Sequence, residues 1–164
     1  MADANFTLTQ NLLFDLFEYQ DGQLIRKKSQ GNRTSGRPLG CSQKNGYVIG
    51  MINKKFFYLH RLIYLWHHGY MPKTVDHIDG NPGNNKIENL RACTQSQNTC
   101  NRTKQNNNSS GHKNVHWATH HQRWVVTVTC KGVKHTFGTF KNLDDAVLAA
   151  KIGREKLHGQ FAKT

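Results

Sequence analysis

Asp76 and His77 stand side by side in Thr74-Val75-Asp76-His77-Ile78-Asp79-Gly80-Asn81, followed by Asn89-Leu90-Arg91 and then Gln95-Ser96-Gln97-Asn98. These residue types suit phosphodiester hydrolysis. An Asp76 carboxylate oxygen and an Asn98 amide carbonyl oxygen are hard ligands for Mg2+ or Mn2+, with water and substrate phosphate completing the shell. A neutral His77 can take a proton from an attacking water. The cation would stabilise the departing 3′ oxygen and the charge building on phosphorus.

Such groups need a frame. Thr74 to His77 reads as a strand, and Glu88 to Ala92 as its antiparallel return. The loop between them, Gly80-Asn81-Pro82-Gly83-Asn84-Asn85, is dense with turn formers. Thr94 caps a helix running to about Thr103, and Gln97 three residues on completes a capping box. A strand–loop–strand–helix unit of this kind can bring Asn98 beside Asp76. Upstream, His60 to His68 reads as an apolar helix ended by Gly69 and Pro72. Leu8 to Phe17 reads as a short helix. Gln23 to Arg26, Tyr47 to Ile52 and Lys55 to Leu59 read as strands, the last two joined at Asn53-Lys54. Arg26 to Lys44, with three glycines and six basic residues, reads as a long mobile loop.

Composition narrows the partner. The 164 residues carry 23 Lys and Arg against 10 Asp and Glu, a formal charge of +13. A polyanion, nucleic acid first, is the expected partner, because Lys and Arg neutralise phosphates. Residues 104–164 are the most basic segment and residues 57–103 the least. The 8 Phe, 5 Tyr and 3 Trp argue against a disordered chain. No run approaches the ~18 apolar residues of a membrane-spanning helix, and MADANFTLTQNLLFDLF lacks the basic start of a secretory signal. Cys41, Cys93, Cys100 and Cys130 include no CxxC pair, so no structural zinc is expected and reduced thiols are.

The Asp-His, Asn-Leu-Arg and Gln-x-Asn segments, with Leu59-His60-Arg61-Leu62 before them, resemble the HNH endonucleases, in particular the phage and intron-encoded homing group. The resemblance covers roughly residues 56–103. It implies an α+β protein with a ββα-metal (His-Me finger) nuclease core. It makes His77 the general base and Asp76 and Asn98 the ligands of one divalent cation, Mg2+ first and Mn2+ second. Asn89 would be the middle asparagine, counted with the catalytic set, whose side chain braces the loop that positions His77. It further implies a phage or mobile-element setting in a host or bacterial cytoplasm. Asp79, Asn81, Asn84 and Asn85 read as turn formers. His60 deserves separate notice at a helix start near the site. Arg61 and Arg91 are each candidates either for a phosphate contact or for a local structural role.

From Asn114 the pattern changes to three strands and a helix: Asn114 to Ala118, Arg123 to Thr129, Val133 to Phe140, then a helix from an Asn142 cap through about Leu157. Alternation puts Trp124, Val126 and Val128 on one face and Val125, Thr127 and Thr129 on the other. Asn114-Val115, Arg123-Trp124, Gly138-Thr139-Phe140 and Asp145-Ala146 resemble the AP2 DNA-binding domain. That resemblance implies a sheet laid in the major groove. His116, Arg123, Thr127, Thr129, Lys134 and Thr136 would face the DNA, and Arg123, Lys131 and Lys134 would meet phosphates.

The chain therefore reads as an N-terminal DNA-contacting segment (1–56), a nuclease core (57–103), a polar linker (104–111) and an AP2-like domain (112–164). The expected function is a metal-dependent, homing-type endonuclease on double-stranded DNA, without membrane association and with a monomer favoured. The alternative is a non-catalytic AP2-type DNA-binding regulator.

Overall fold

A computed structural model describes residues 6–29, 31–100, 108 and 110–162. The chain divides into two compact units, Met1–Cys93 and Thr94–Thr164, of mixed α+β character with several small antiparallel sheets. Most of the expected linker, and the expected helix beyond Cys100, lie outside the described residues.

In the first unit, helix α1 (Gln10–Leu16) starts at Thr9, whose hydroxyl accepts the Leu12 N–H at 3.2 Å. Strand β1 (Phe17–Gln20) follows without a break and pairs with β2 (Gln23–Arg26). Strands β3 (Cys41–Ser42), β4 (Val48–Ile52) and β5 (Lys55–Tyr58) form a second sheet in that order. Asn53 and Lys54 both take left-handed φ, as the tight turn between twisted strands requires. Helix α2 (Leu59–His68) ends at Gly69, whose left-handed φ of 75° lets its N–H return to Leu65 O. Strands β6 (Thr74–His77) and β7 (Leu90–Cys93) form the last hairpin, and a 3-10 turn (Ile87–Asn89) leads into β7.

The core of this unit is built around α2. Leu59, Leu62 and Ile63 follow helical spacing on one face, and Tyr64 and Leu65 widen it. Leu13, Phe17, Leu24, Leu39 and Ile52 close on it from the N-terminal elements, and Val75 and Leu90 from the β6–β7 hairpin. Residues before position 57 thus share one core with the segment that follows.

The segment after β2 is tied down, contrary to the mobile loop expected from composition. The Arg26 N–H donates to Arg37 O at 3.0 Å, Gly36 N–H to Arg26 O at 2.8 Å and Leu39 N–H to Leu24 O at 2.8 Å. Leu39, 2% exposed, is the apolar anchor. It fits over Gly50, where a Cβ would lie 2.5 Å from Leu39 Cγ. One buried leucine and a few backbone bonds outweigh the polar composition around them.

In the second unit, helix α3 (Gln95–Cys100) opens with the expected capping box: Gln97 N–H donates to Thr94 Oγ1 and Thr94 N–H to Gln97 Oε1. Strands β8 (Val115–Ala118), β9 (Arg123–Cys130) and β10 (Val133–Phe140) form an antiparallel sheet with β9 central. Helix α4 (Leu143–His158) starts at Asn142, which accepts the Asp144 N–H. Ala146 and Ala150 bring α4 against Val115 and Val126. At Gly153 an added Cβ would sit 2.9 Å from the Phe137 ring, so that close approach needs glycine.

Leu39→Ala should destabilise the first unit by about 2–5 kcal/mol, the usual range for a buried leucine. Chemical denaturation measures this, and a loss under about 1 kcal/mol would show that Leu39 does not anchor the segment.

Candidate active site

The β6–β7 hairpin sets the site's geometry. Its register pairs Asp76 with Arg91 and His77 with Leu90. Val75 and Leu90 point into the core, and the hairpin is fixed through them. Asp76 and His77 are 6% and 5% exposed, so both polar side chains are held by protein rather than by bulk water.

The loop from Ile78 to Asn89 is a mesh of short polar bonds. Asn89 Oδ1 accepts the Asp79 N–H at 3.0 Å, and Asn89 Nδ2 donates to Asp79 Oδ1 at 2.9 Å and to Asn84 O at 2.8 Å. Asp79 also accepts the Asn81 N–H and the Asn84 amide, both at 2.8 Å. Burial pushes the Asp79 carboxyl up, but these hydrogen bonds from Asn81, Asn84 and Asn89, with the nearby His77, bring it below its ordinary value. A charged Asp79 is therefore the hub of the loop, and Asn89 spans it from the β7 side.

Asn85 departs from the turn-former reading. It is 4% exposed, and its Oδ1 lies 3.1 Å from His77 Nε2. Its Nδ2 donates to Gly83 O at 3.3 Å, which sets the orientation of the amide. With oxygen facing the imidazole, Nε2 must carry the proton and donate. The neutral ring then bears its lone pair on Nδ1.

Asp76 is held by an ion pair across the hairpin. Arg91 Nε and Nη2 both donate to Asp76 Oδ2, at 3.0 and 2.8 Å. Arg91 thus acts inside the fold, where removing it would leave a buried carboxylate without its cation. Arg61 is used similarly: its guanidinium donates to Lys73 O at 2.9 Å and Pro72 O at 3.1 Å, bracing the lead into β6.

His60 completes the surroundings. Its ring centroid lies 5.0 Å from that of His77, and Tyr47 and Tyr58 each lie 5.5 Å from it. It is 6% exposed, and its Nδ1 has no hydrogen-bond partner. Burial first, then the neighbouring His77 and Arg61, lower its pKa to about 3, so it is neutral at ordinary pH. The Cys93 thiol is pushed up to about 11, by burial and by the Asp76 charge against Arg91, which leaves it a poor nucleophile.

The first unit therefore gathers Asp76, His77, Asn89, Arg61 and Arg91. Asn98 belongs to the second unit, on α3, where its N–H donates to Thr94 O at 3.0 Å. Also in that unit, Thr127 pairs with Thr136, Thr129 with Lys134 and His116 with Val125. Arg123, Thr127, Thr129, His116, Lys134 and Thr136 thus share the sheet face opposite buried Val126 and Val128, while Lys131 sits in the β9–β10 turn. Sequence reasoning missed Asn85: two adjacent asparagines gave no sign of which amide turns inward.

Comparison with known proteins fits this geometry. The HNH endonuclease family matches residues 57–100. "Protein 3.8" of Escherichia phage T7 is 37% identical over 107 residues, 63% of this chain and 88% of that protein. An uncharacterized HNH endonuclease of Acanthamoeba polyphaga mimivirus is 33% identical over 122 residues, covering 73% of this chain and 62% of that protein. No solved structure matches. The hairpin and its loop thus lie within a segment that matches the HNH endonuclease family, and the chain is similar to a phage protein and to a mimivirus protein named as an HNH endonuclease. Among the described residues no helix is long and apolar enough to cross a membrane.

Because the folded state holds His60 neutral, unfolding frees a group that takes up a proton below its ordinary pKa of ~6.5. Stability from this group is thus full above that pH and is lost as pH falls toward 3, by up to about 1.4 kcal/mol per pH unit. Denaturation of the wild type between pH 7 and pH 5 should show this slope, reinforced by His67 and His158, whose pKa values burial also lowers. His60→Phe should remove about one proton's worth of slope; an unchanged slope would contradict the assignment.

Proposed function

We propose that this protein is a metal-dependent endonuclease hydrolysing one phosphodiester of duplex DNA per engagement of its site, with His77 as general base. The observation that carries this reading is the Asn85–His77 hydrogen bond, which fixes the tautomer with its lone pair on Nδ1. A base must hold that lone pair in a defined direction before water arrives. Asn85 and Asn89 are positioning residues: the first sets the imidazole, the second the loop that carries Asn85.

The donor chemistry at Asp76 suits a hard divalent cation, Mg2+ before Mn2+, since a carboxylate oxygen is anionic and Arg91 holds it in place. Among the described residues no three His, Cys, Asp or Glu side chains gather as a metal cluster. Such a cation would draw on Asp76 and the Asn98 amide, with water and phosphate filling the remainder. Bound there, it supplies charge stabilisation at the phosphorus and the departing 3′ oxygen. His77 Nδ1 takes the proton of the attacking water as its oxygen bonds to phosphorus. The bond to the 3′ oxygen breaks, the departing oxygen takes a proton from solvent water to leave as a 3′ hydroxyl, and His77 returns its proton to solvent.

We read residues 57–103 as a ββα-metal core and residues 112–164 as an AP2-like DNA-binding domain. The Thr127–Thr136 and Thr129–Lys134 face would lie toward the duplex, with Arg123 and Lys131 on phosphates. The homing role suits a viral family setting.

Supercoiled plasmid should be relaxed or linearised by the purified protein with Mg2+ and left intact with EDTA. His77→Ala should lower cleavage by at least about a hundredfold with DNA affinity nearly unchanged. Full cutting by that variant would remove His77 from the mechanism. Binding without metal-dependent cutting by the wild type would favour the regulator reading.

A further inference from the structure

No acidic residue falls between Asp21 and Asp76, a stretch that holds ten Lys and Arg. Three of them meet in one cleft of about 410 Å³, lined by Arg26, Asn32, Arg33, Thr34, Arg37 and Pro38. The cleft is built, not a chance cluster of flexible chains. Arg26 lies on β2, its guanidinium 5.3 Å from the centre of the Phe17 ring. Arg33 donates to Met51 O at 3.2 Å. The Arg37 backbone is held opposite Arg26 by the Arg26 N–H to Arg37 O bond, and Leu39 anchors the segment next to it.

Among the described residues, the ion pairs are Lys86–Asp21 and Arg91–Asp76, and none involves these three arginines. Burial, and then repulsion from Arg33, lower the Arg26 pKa. Holding like charges together opposes folding. A planar guanidinium offers paired N–H donors that match the oxygens of a phosphate. Asn32 and Thr34 add short polar side chains at the same opening.

We propose that the Arg26–Arg33–Arg37 cleft binds a backbone phosphodiester of the DNA substrate, giving the first unit its own hold on the duplex independent of the sheet face in the second unit. The assignment of DNA as ligand rests on the nuclease reading. The cleft positions without reading sequence, because a phosphate contact carries no base information.

The test is fluorescence anisotropy of a short labelled duplex in EDTA, titrated across salt concentrations. Arg37→Gln is the variant of choice, since its side chain is exposed and outside the core. It should weaken binding about fivefold to tenfold at ~0.1 M salt and flatten the dependence of log K on log salt by about 0.9. Its thermal midpoint should stay level or rise, as a repelling charge is gone. Lys156→Gln, an equal charge loss on exposed α4, should leave the slope unchanged. An unchanged slope for Arg37→Gln, or an equal loss for Lys156→Gln, would overturn the proposal. Millimolar inorganic phosphate at constant ionic strength should not displace the duplex; displacement would assign the cleft to a small free anion instead. Wild-type plasmid cleavage in Mg2+ is scored alongside. Cleavage with an unchanged Arg37→Gln slope removes the cleft and keeps the nuclease. A lost slope without cleavage removes the nuclease and keeps the cleft as a DNA site.

Discussion

A neutral imidazole presents a lone pair on only one of its nitrogens, and in this protein a buried amide decides which. Asn85 accepts from His77 Nε2 because its own nitrogen is committed to Gly83 O. That commitment depends on the shape of the loop, and the loop depends on Asp79 and Asn89, which exchange two hydrogen bonds and tie Asn84 between them. The hairpin below is pinned to α2 through Val75 and Leu90. Core packing thus determines a tautomer through a short chain of polar contacts that ends in the buried His77–Asn85 bond, which is costly to leave unpaired.

Charge is distributed on two scales. Near His77 it is compensated: Asp76 has Arg91, Asp79 has a shell of amides, and His60 is kept uncharged by burial. Toward the N-terminal segment it is left uncompensated, with Arg26, Arg33 and Arg37 around one cleft. The first arrangement holds the side chains around His77 in a fixed geometry. The second is the arrangement that the proposed phosphate contact would use, and such a contact depends on ionic strength.

Elements with local signals were legible in the sequence. Strands Gln23–Arg26, Thr74–His77 and Val133–Phe140 have the bounds that alternation and turn residues suggest, and the Thr94–Gln97 capping box forms as written. Strand β1 was not legible, because its apolar residues continue the α1 pattern and its pairing with β2 is decided by the Asp21-Gly22 turn. The two-residue β3 has no periodicity to read. In the site, the Asp-His pair and Asn89 stand out through the resemblance to HNH endonucleases. The inward turn of Asn85, and the structural use of Arg61 and Arg91, depend on distant carbonyls and a cross-strand register. A sequence gives the types of such side chains and not the directions they take.

The protonation site of His77 decides whether the imidazole can act as the base. Long-range proton–nitrogen NMR correlation spectroscopy distinguishes a protonated ring nitrogen from one bearing a lone pair. In the neutral wild-type side chain, His77 should show Nε2 protonated and Nδ1 bare. A proton on Nδ1, with Nε2 bare, would contradict the hydrogen-bond assignment and the general-base role that rests on it.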